Sequence, residues 1–447
     1  MKRLFGYIVF LLLITVLVNG CSENSTSVNI VTEPISPLAS SYDAKYATDW
    51  MWLSGKIIAD ESRDNPPQAG RIYSYLSIGL YECIVQGMPM YRSLSGQLKE
   101  MPQMPLAYPA YEYDWPSVLT GAMPILFRGL YRVLHNTSHN MINNMASNQR
   151  LIKYSEKDSS VINRSIILGE AIAVKILEWA NNDGFYRING APYNPPSIFE
   201  NPANWEPINP GDTAVEPYWG TLRTFAVQSA SSNYLAPSYS FDTTAGSPFY
   251  IDQLEIKQIR ENITPEQREI ALFWRDKQLT LQPPGHWVSI VYQMISKHGY
   301  KLDKAAEAFG YLGIGIGDAF ISCWYAKYFD NYLRPQSFIR RYMQPGWTPL
   351  LPTPPFPDYP SGHSTSSGTC SYLLTKVFGE LPFTDTTHLR IGMPPRSFNN
   401  FKEAAVECSN SRIYGGIHYR NACENGVLMG ENIGADIYSR VKLRKNQ

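Results

Sequence analysis

Cysteine is scarce in this chain: 447 residues hold six, none of them in a Cys-x-x-Cys pair. That excludes a disulfide-stapled scaffold and the common zinc-ribbon spacings. Beyond Cys21 the other five are Cys83, Cys323, Cys370, Cys408 and Cys423, several of them on apolar helical stretches. Buried free thiols are expected, with a single Cys408–Cys423 bridge as the alternative. An excess of charge is also missing, because Lys+Arg and Asp+Glu both total 39 and the formal net charge is zero. Such a balance sets up no field for a polyanion, so no nucleic-acid partner is expected. There is no internal repeat, no low-complexity tract and no sustained alternating strand pattern. After residue 18 no apolar run is long enough to span a bilayer.

The start of the chain differs from the rest. Met1-Lys2-Arg3 is basic, Leu4 to Val18 is apolar, and Asn19-Gly20-Cys21 follows. The apolar run is short for a spanning helix and fits a lipoprotein-type export signal over residues 1–21, with Cys21 as the lipidation site. Asn19 is unusual before such a cysteine, and an uncleaved N-terminal anchor is the alternative. Residues 22–41 are polar and read as a flexible tether. Together these features predict a lipid-anchored protein of the bacterial cell envelope, periplasmic or surface-exposed.

The remainder predicts an all-α protein of two helical bundles with long irregular loops. Trp50–Asp60, Gly70–Gln86, Ser117–His135, Met141–Asn148 and Glu156–Asn181 carry apolar residues at helical spacing. Residues 182–250 are rich in Asn, Pro, Gly, Tyr and Trp and read as an irregular lid or connector. Order returns at Thr264-Pro265-Glu266-Gln267, a helix-start pattern. A further helix opens at Pro283-Pro284, and a long one runs from about Ala305 to Leu333. The glycines at 310, 313, 315 and 317 within it are costly unless close packing compensates, so this helix should be buried and central. The expected division is an N-terminal bundle with connector over 42–250 and a catalytic bundle over 251–447.

Three clusters carry chemistry. Lys327 and Arg334 are seven residues apart, with Pro335 biasing the chain away from helix at Arg334. Pro360-Ser361-Gly362-His363 opens a helical run, which puts Ser361 and the Gly362 N–H at a helix N-terminus, where anions are favoured. Ser411-Arg412 is followed by Gly415-Gly416 and His418. Cations, a hydroxyl, an amide and two imidazoles are what a tetrahedral oxyanion needs. A divalent metal on His363 and His418 is disfavoured, since Lys327, Arg334 and Arg412 would repel it.

Lys-x6-Arg-Pro, Pro-Ser-Gly-His and Ser-Arg-x5-His, in this order, resemble the superfamily of vanadium-dependent haloperoxidases and type 2 phosphatidic acid phosphatases. The resemblance implies vanadate as cofactor, held by Lys327, Arg334, Ser361, Gly362 and Arg412 and bonded through vanadium to His418. It implies hydrogen peroxide and halide as substrates, with His363 and His418 catalytic beside Lys327. The other branch implies hydrolysis of a phosphate ester, with His418 as nucleophile and His363 as acid. Trp324 and Phe356 resemble aromatic residues that flank vanadate in the chloroperoxidases, which favours the peroxidase branch. Asp276 resembles the carboxylate that orients the acid–base histidine. One departure stands out: the family's Asp four residues after the last His is Ala422 here, which leaves Asn421 or Glu424 as substitutes. A third reading, from another class, is a tethered binding lipoprotein with a vestigial pocket and aromatic-rich loops, compatible with 30 Tyr and 10 Trp.

Overall fold

Helices dominate the computed structural model, which describes residues 35–60, 64–276 and 280–447. The export signal, Cys21 and most of the tether lie outside the described residues. The first half contributes α1 (Lys45–Asp60), α2 (Pro66–Ile84), α3 (Trp115–Leu130), α4 (Asn136–Glu156) and α5 (Ser159–Asn181). After α6 (Phe185–Ile188) come α7 (Pro248–Glu261), α8 (Pro265–Phe273), α9 (Gln282–His298) and α10 (Leu302–Asp330). The rest is α11 (Pro335–Tyr342), α12 (Gly362–Phe378), α13 (Phe401–Tyr414) and α14 (Arg420–Arg440). Strands β1 (Phe383–Asp385) and β2 (Arg396–Phe398) form one antiparallel hairpin with Phe383 opposite Phe398.

Local chemistry sets the helix starts. Asn65 and Thr264 each form a capping box with the glutamine three residues on, followed by proline in the first turn of α2 and α8. Asp158 caps α5 and splits the single helix expected over Glu156–Asn181 from a longer α4. The α7 helix was not anticipated; Ser247 caps it and Pro248 starts it.

The α10 helix is the axis of the fold. Nearly all of it is buried, as its glycines predict. A Cβ at Gly313 would lie 2.5 Å from the Ser77 Cβ and 3.0 Å from the Ser74 carbonyl, so only glycine lets α2 approach this closely. One hydrophobic core runs through both halves, joining Trp50, Tyr75 and Leu126 to Trp287, Leu312 and Leu373. Residues 35–447 form one compact unit. The irregular 182–250 segment is tied to α10: the buried Asp318 carboxylate accepts the N–H groups of Phe225, Ala226 and Val227 at 2.6–2.9 Å. Cys83, Cys323, Cys370, Cys408 and Cys423 are buried free thiols, and the Cys408–Cys423 bridge is not formed.

Candidate active site

The three clusters meet where α10, α12 and α13 end or begin. The α10 helix stops at Asp330 because Asn331 adopts a left-handed conformation (φ 50°), and Arg334 becomes the N-cap residue of α11. Lys327 and Arg334 therefore lie on either side of a turn and not on one continuous helix. Ser361 caps α12, accepting from Ser364 N–H at 3.3 Å, and Gly362 and His363 form its first turn. Arg412 sits in the last turn of α13, and the chain reverses at Gly416 (φ 74°) to deliver His418.

Arg334 is fully buried. Its Nε donates to Phe356 O at 2.7 Å and its Nη1 to Ile417 O at 2.8 Å, while Nη1 lies 3.1 Å from His418 Nε2. Its Nη2 is buried without a partner. Arg412 donates from Nη1 to Trp274 O at 2.7 Å, and its Nε is likewise unpartnered. The Nε2 of His363 is a third such atom. Gly362, His363, Arg412 and His418 line one small cavity of about 40 Å³, with Trp324 and Phe356 on its wall. That volume suits a body of a few water-sized groups, the scale of one oxyanion. A wider cavity of about 280 Å³ shares Phe356, His363 and Arg412 with it and adds Arg275, Asp276 and Gln282.

Buried polar atoms without partners are rare, because each forfeits its hydration for nothing. Arg412 and His363, which line the cavity, each leave one such nitrogen, and Arg334, held 3.1 Å from the lining residue His418, leaves a third; together they form an incomplete set that an oxyanion would complete. Gly362, which lines the cavity, packs closely on its aromatic wall: a Cβ there would press to 3.2 Å on the Trp324 ring.

Lys327, expected among the residues around the anion, is bound to backbone. Its Nζ donates to the carbonyls of Pro357, Asp358 and Pro360 at 2.5–2.9 Å, which uses all three ammonium hydrogens. Here it fastens the 357–360 loop that leads into α12, while burial pulls its pKa down to about 7. Phe356 lies beneath both cations, 5.1 Å from Lys327 Nζ and 4.7 Å from Arg334 Cζ, and packs on Trp324 at 5.2 Å.

Both histidines are neutral in this pocket. Burial, then Arg334, Lys327 and Arg412, holds His418 well below the ordinary imidazole range. Burial and then Arg412 do the same to His363, the histidine that Asp276 was expected to orient. That partnership is not among the hydrogen bonds of the described residues. Asp276 instead accepts from His286 Nδ1 at 2.9 Å and His388 Nε2 at 3.1 Å, and His286 Nε2 lies 2.6 Å from Asp385. Burial opposes the charge on His286, but Asp276 and Asp385 outweigh it and push its pKa up to about 10. Ligand atoms of Asp276, His286 and His388 lie within 4.8 Å of one another, a spacing that a metal could bridge. The His286 imidazolium meets the same charge requirement with a proton.

The sequence reading missed Asp358. This fully buried carboxylate lies 2.9 Å from His418 Nδ1. The two expected substitutes point elsewhere: the Asn421 amide donates to Ser238 Oγ at 2.7 Å, and Glu424 faces Arg420. The signal for Asp358 was its place inside Phe356-Pro-Asp-Tyr-Pro-Ser-Gly-His363 in a chain that lacks a carboxylate at 422.

Comparison with known proteins accords with this geometry. A structure of a bacterial vanadium-dependent iodoperoxidase is 30% identical, superposes with a TM-score of 0.83, and aligns over 90% of this chain and 98% of its own. The chain belongs to the vanadium haloperoxidase superfamily. A family model for the second helical-bundle domain of these haloperoxidases, named VCPO, matches residues 307–446, a span that contains Lys327, His363 and His418. Holo and apo structures of a bacterial vanadium-dependent chloroperoxidase share the haloperoxidase fold at 17% and 15% identity, with TM-scores of 0.64 and 0.65. Each aligns over 86% of this chain and over 95% and 96% of its own. No curated protein matches in sequence.

Proposed function

We propose that this chain is a vanadate-dependent haloperoxidase that oxidises halide with hydrogen peroxide. The observation that carries the reading is a cavity of oxyanion size lined by His363, Arg412 and His418, where Arg412 Nε and His363 Nε2 are buried without partners and Arg334, likewise unpartnered at Nη2, abuts His418. Arg334, Arg412, the Ser361 hydroxyl and the Gly362 N–H would hold vanadate, and His418 Nε2 would bond the metal. Bound vanadate supplies a Lewis-acidic centre that activates peroxide toward halide without a change of valence. The protein's part is to neutralise the anion, present a neutral imidazole and keep bulk water out with Trp324 and Phe356. His363 exchanges a proton with substrate. A bound anion offsets the Arg412 charge that holds its pKa down, which moves His363 toward the range useful for that exchange. The iodoperoxidase relative supports peroxidase chemistry over phosphate-ester hydrolysis.

The site residues all fall within 251–447, which supports a catalytic bundle there and a supporting bundle over 42–250. Lipid attachment at Cys21, with an envelope location, belongs to the same proposal and is tested by metabolic lipid labelling that Cys21→Ser should abolish.

The deciding experiment is an assay of metal-free protein for halide oxidation and for phosphomonoester hydrolysis, each with and without added vanadate. A haloperoxidase gains halide oxidation on addition of vanadate. Phosphoester hydrolysis that vanadate suppresses would identify the phosphatase branch, and no response in either assay with no vanadate uptake would identify a vestigial pocket.

A further inference from the structure

A histidine that bonds a metal or attacks an electrophile must offer one lone pair in one direction. The group that fixes this is whatever contacts its other ring nitrogen. At the sequence position where the resemblance places a carboxylate for that task, this chain has Ala422. Ala422 is fully buried in an aromatic cluster with Phe249 and Tyr419, and its carbonyl accepts the Ser361 N–H at 2.9 Å. It braces the turn into α12 and offers the imidazole nothing.

Asp358 reaches His418 from another part of the chain. Its Oδ1 is 2.9 Å from His418 Nδ1 and 3.7 Å from Arg334 Nη1, at zero solvent exposure. Neither carboxylate oxygen has a partner in hydrogen-bonding alignment, so the group holds unspent acceptor capacity against the ring. Its backbone is pinned on both sides: the N–H donates to Tyr332 O at 2.9 Å, and the carbonyl accepts from Lys327 Nζ at 2.9 Å. A neutral imidazole carries one hydrogen. With Nδ1 against an ionised carboxylate oxygen, the tautomer protonated at Nε2 would set lone pair against lone pair, whereas a proton on Nδ1 lets a small ring rotation complete a hydrogen bond. That tautomer keeps Nε2 an acceptor, which suits the Arg334 Nη1 donor 3.1 Å from it and leaves the lone pair to be taken up by a bound oxyanion.

We propose that Asp358 is the positioning residue of His418: it selects the Nδ1–H tautomer and aims Nε2 at the bound oxyanion, in place of the carboxylate absent at position 422. The tautomer claim rests on the contact alone, and its consequence for vanadate rests on the function proposed above. Lys327 enters the same device, since the loop it fastens by three carbonyls is the loop that carries Asp358.

The test is nitrogen NMR of histidine-labelled, vanadate-free protein, with the His418 signals assigned through His418→Gln. Asp358→Ala and the isosteric Asp358→Asn are compared with wild type, and calorimetry establishes that each is folded. Wild type is expected to show His418 protonated at Nδ1, and both variants to shift toward the Nε2–H form. Vanadate affinity should fall roughly 10- to 100-fold in the variants, the usual effect of losing a group that orients a metal-binding histidine. A wild-type Nε2–H tautomer, or a tautomer unchanged in every folded variant, overturns the proposal. So does vanadate affinity equal to that of wild type despite a changed tautomer. A shifted tautomer in a protein that takes up no vanadate even as wild type leaves the positioning role standing and removes the vanadate reading.

Discussion

Replacing Arg412 by methionine separates what the pocket needs from what the fold needs. Arg412 is buried at 3% exposure, its Nε is unpartnered, and its one strong bond is to Trp274 O at 2.7 Å. Burial holds its pKa below the ordinary guanidinium range, the mark of a cation that the fold carries at a cost. Methionine fills much of the same volume without the charge. The variant loses a donor to the Trp274 carbonyl, about 1 kcal/mol, and sheds a desolvated cation worth a comparable amount in the other direction. Melting of the vanadate-free variant should therefore stay within about 3 °C of wild type. Anion binding should suffer far more: a charge-assisted hydrogen bond is worth about 1.5–3 kcal/mol, or roughly 10- to 150-fold in affinity. Differential scanning calorimetry and isothermal titration with vanadate measure the two quantities. An affinity within about threefold of wild type (~0.7 kcal/mol) would refute the assignment of Arg412 to the oxyanion.

Other expectations follow from single contacts. Glu82 is fully buried, and burial raises its pKa from the ordinary 4.5 to about 7 against hydrogen bonds from Leu94 N–H and Ser93 Oγ. The folded state thus binds the extra proton, so relative to Glu82→Gln the wild type should be most stable below about pH 4.5 and lose about 3 kcal/mol as pH rises through 7. Urea unfolding of both across that range checks this, and parallel pH profiles would contradict it. Lys327→Met leaves the carbonyls of Pro357, Asp358 and Pro360 without their donor and should cost about 3 kcal/mol of stability by the same method; a loss below about 0.5 kcal/mol would mean the lysine does not hold this loop. Gly362→Ala sets a methyl 3.2 Å from the Trp324 ring at the edge of the small cavity. Vanadate affinity should drop about fivefold, near 1 kcal/mol, and unchanged affinity would show that the cavity is not the binding volume.

The sequence disclosed some of this architecture and hid the rest for definable reasons. The start of α12 at Pro360-Ser361-Gly362-His363 was legible because serine is a favoured N-cap residue, and Ser361 caps the helix. The burial of α10 was legible from its glycines, which only close packing tolerates. The end of that helix was not, because the left-handed turn at Asn331 precedes the proline that suggested a stop near Arg334. The partners of Asp276 were illegible, since His388 arrives from the β1–β2 connection, 112 residues away. Asp358 was hidden in the same way: its contact with His418 spans 60 residues and depends on a loop whose path Lys327 dictates. The three backbone carbonyls around Lys327 Nζ were also not legible, because composition shows a charge but not what surrounds it.

The central claim is that vanadate sits in this pocket bonded to one imidazole, and X-ray absorption at the vanadium edge tests it most directly. Wild-type protein loaded with vanadate should show a single nitrogen ligand at roughly 2.1 Å in an otherwise oxygen shell, close to metal–imidazole distances elsewhere. His418→Ala should lose that nitrogen, and His363→Ala should keep it while losing halide oxidation. An oxygen-only shell in the wild type, or the same loss of nitrogen in both variants, would contradict the account.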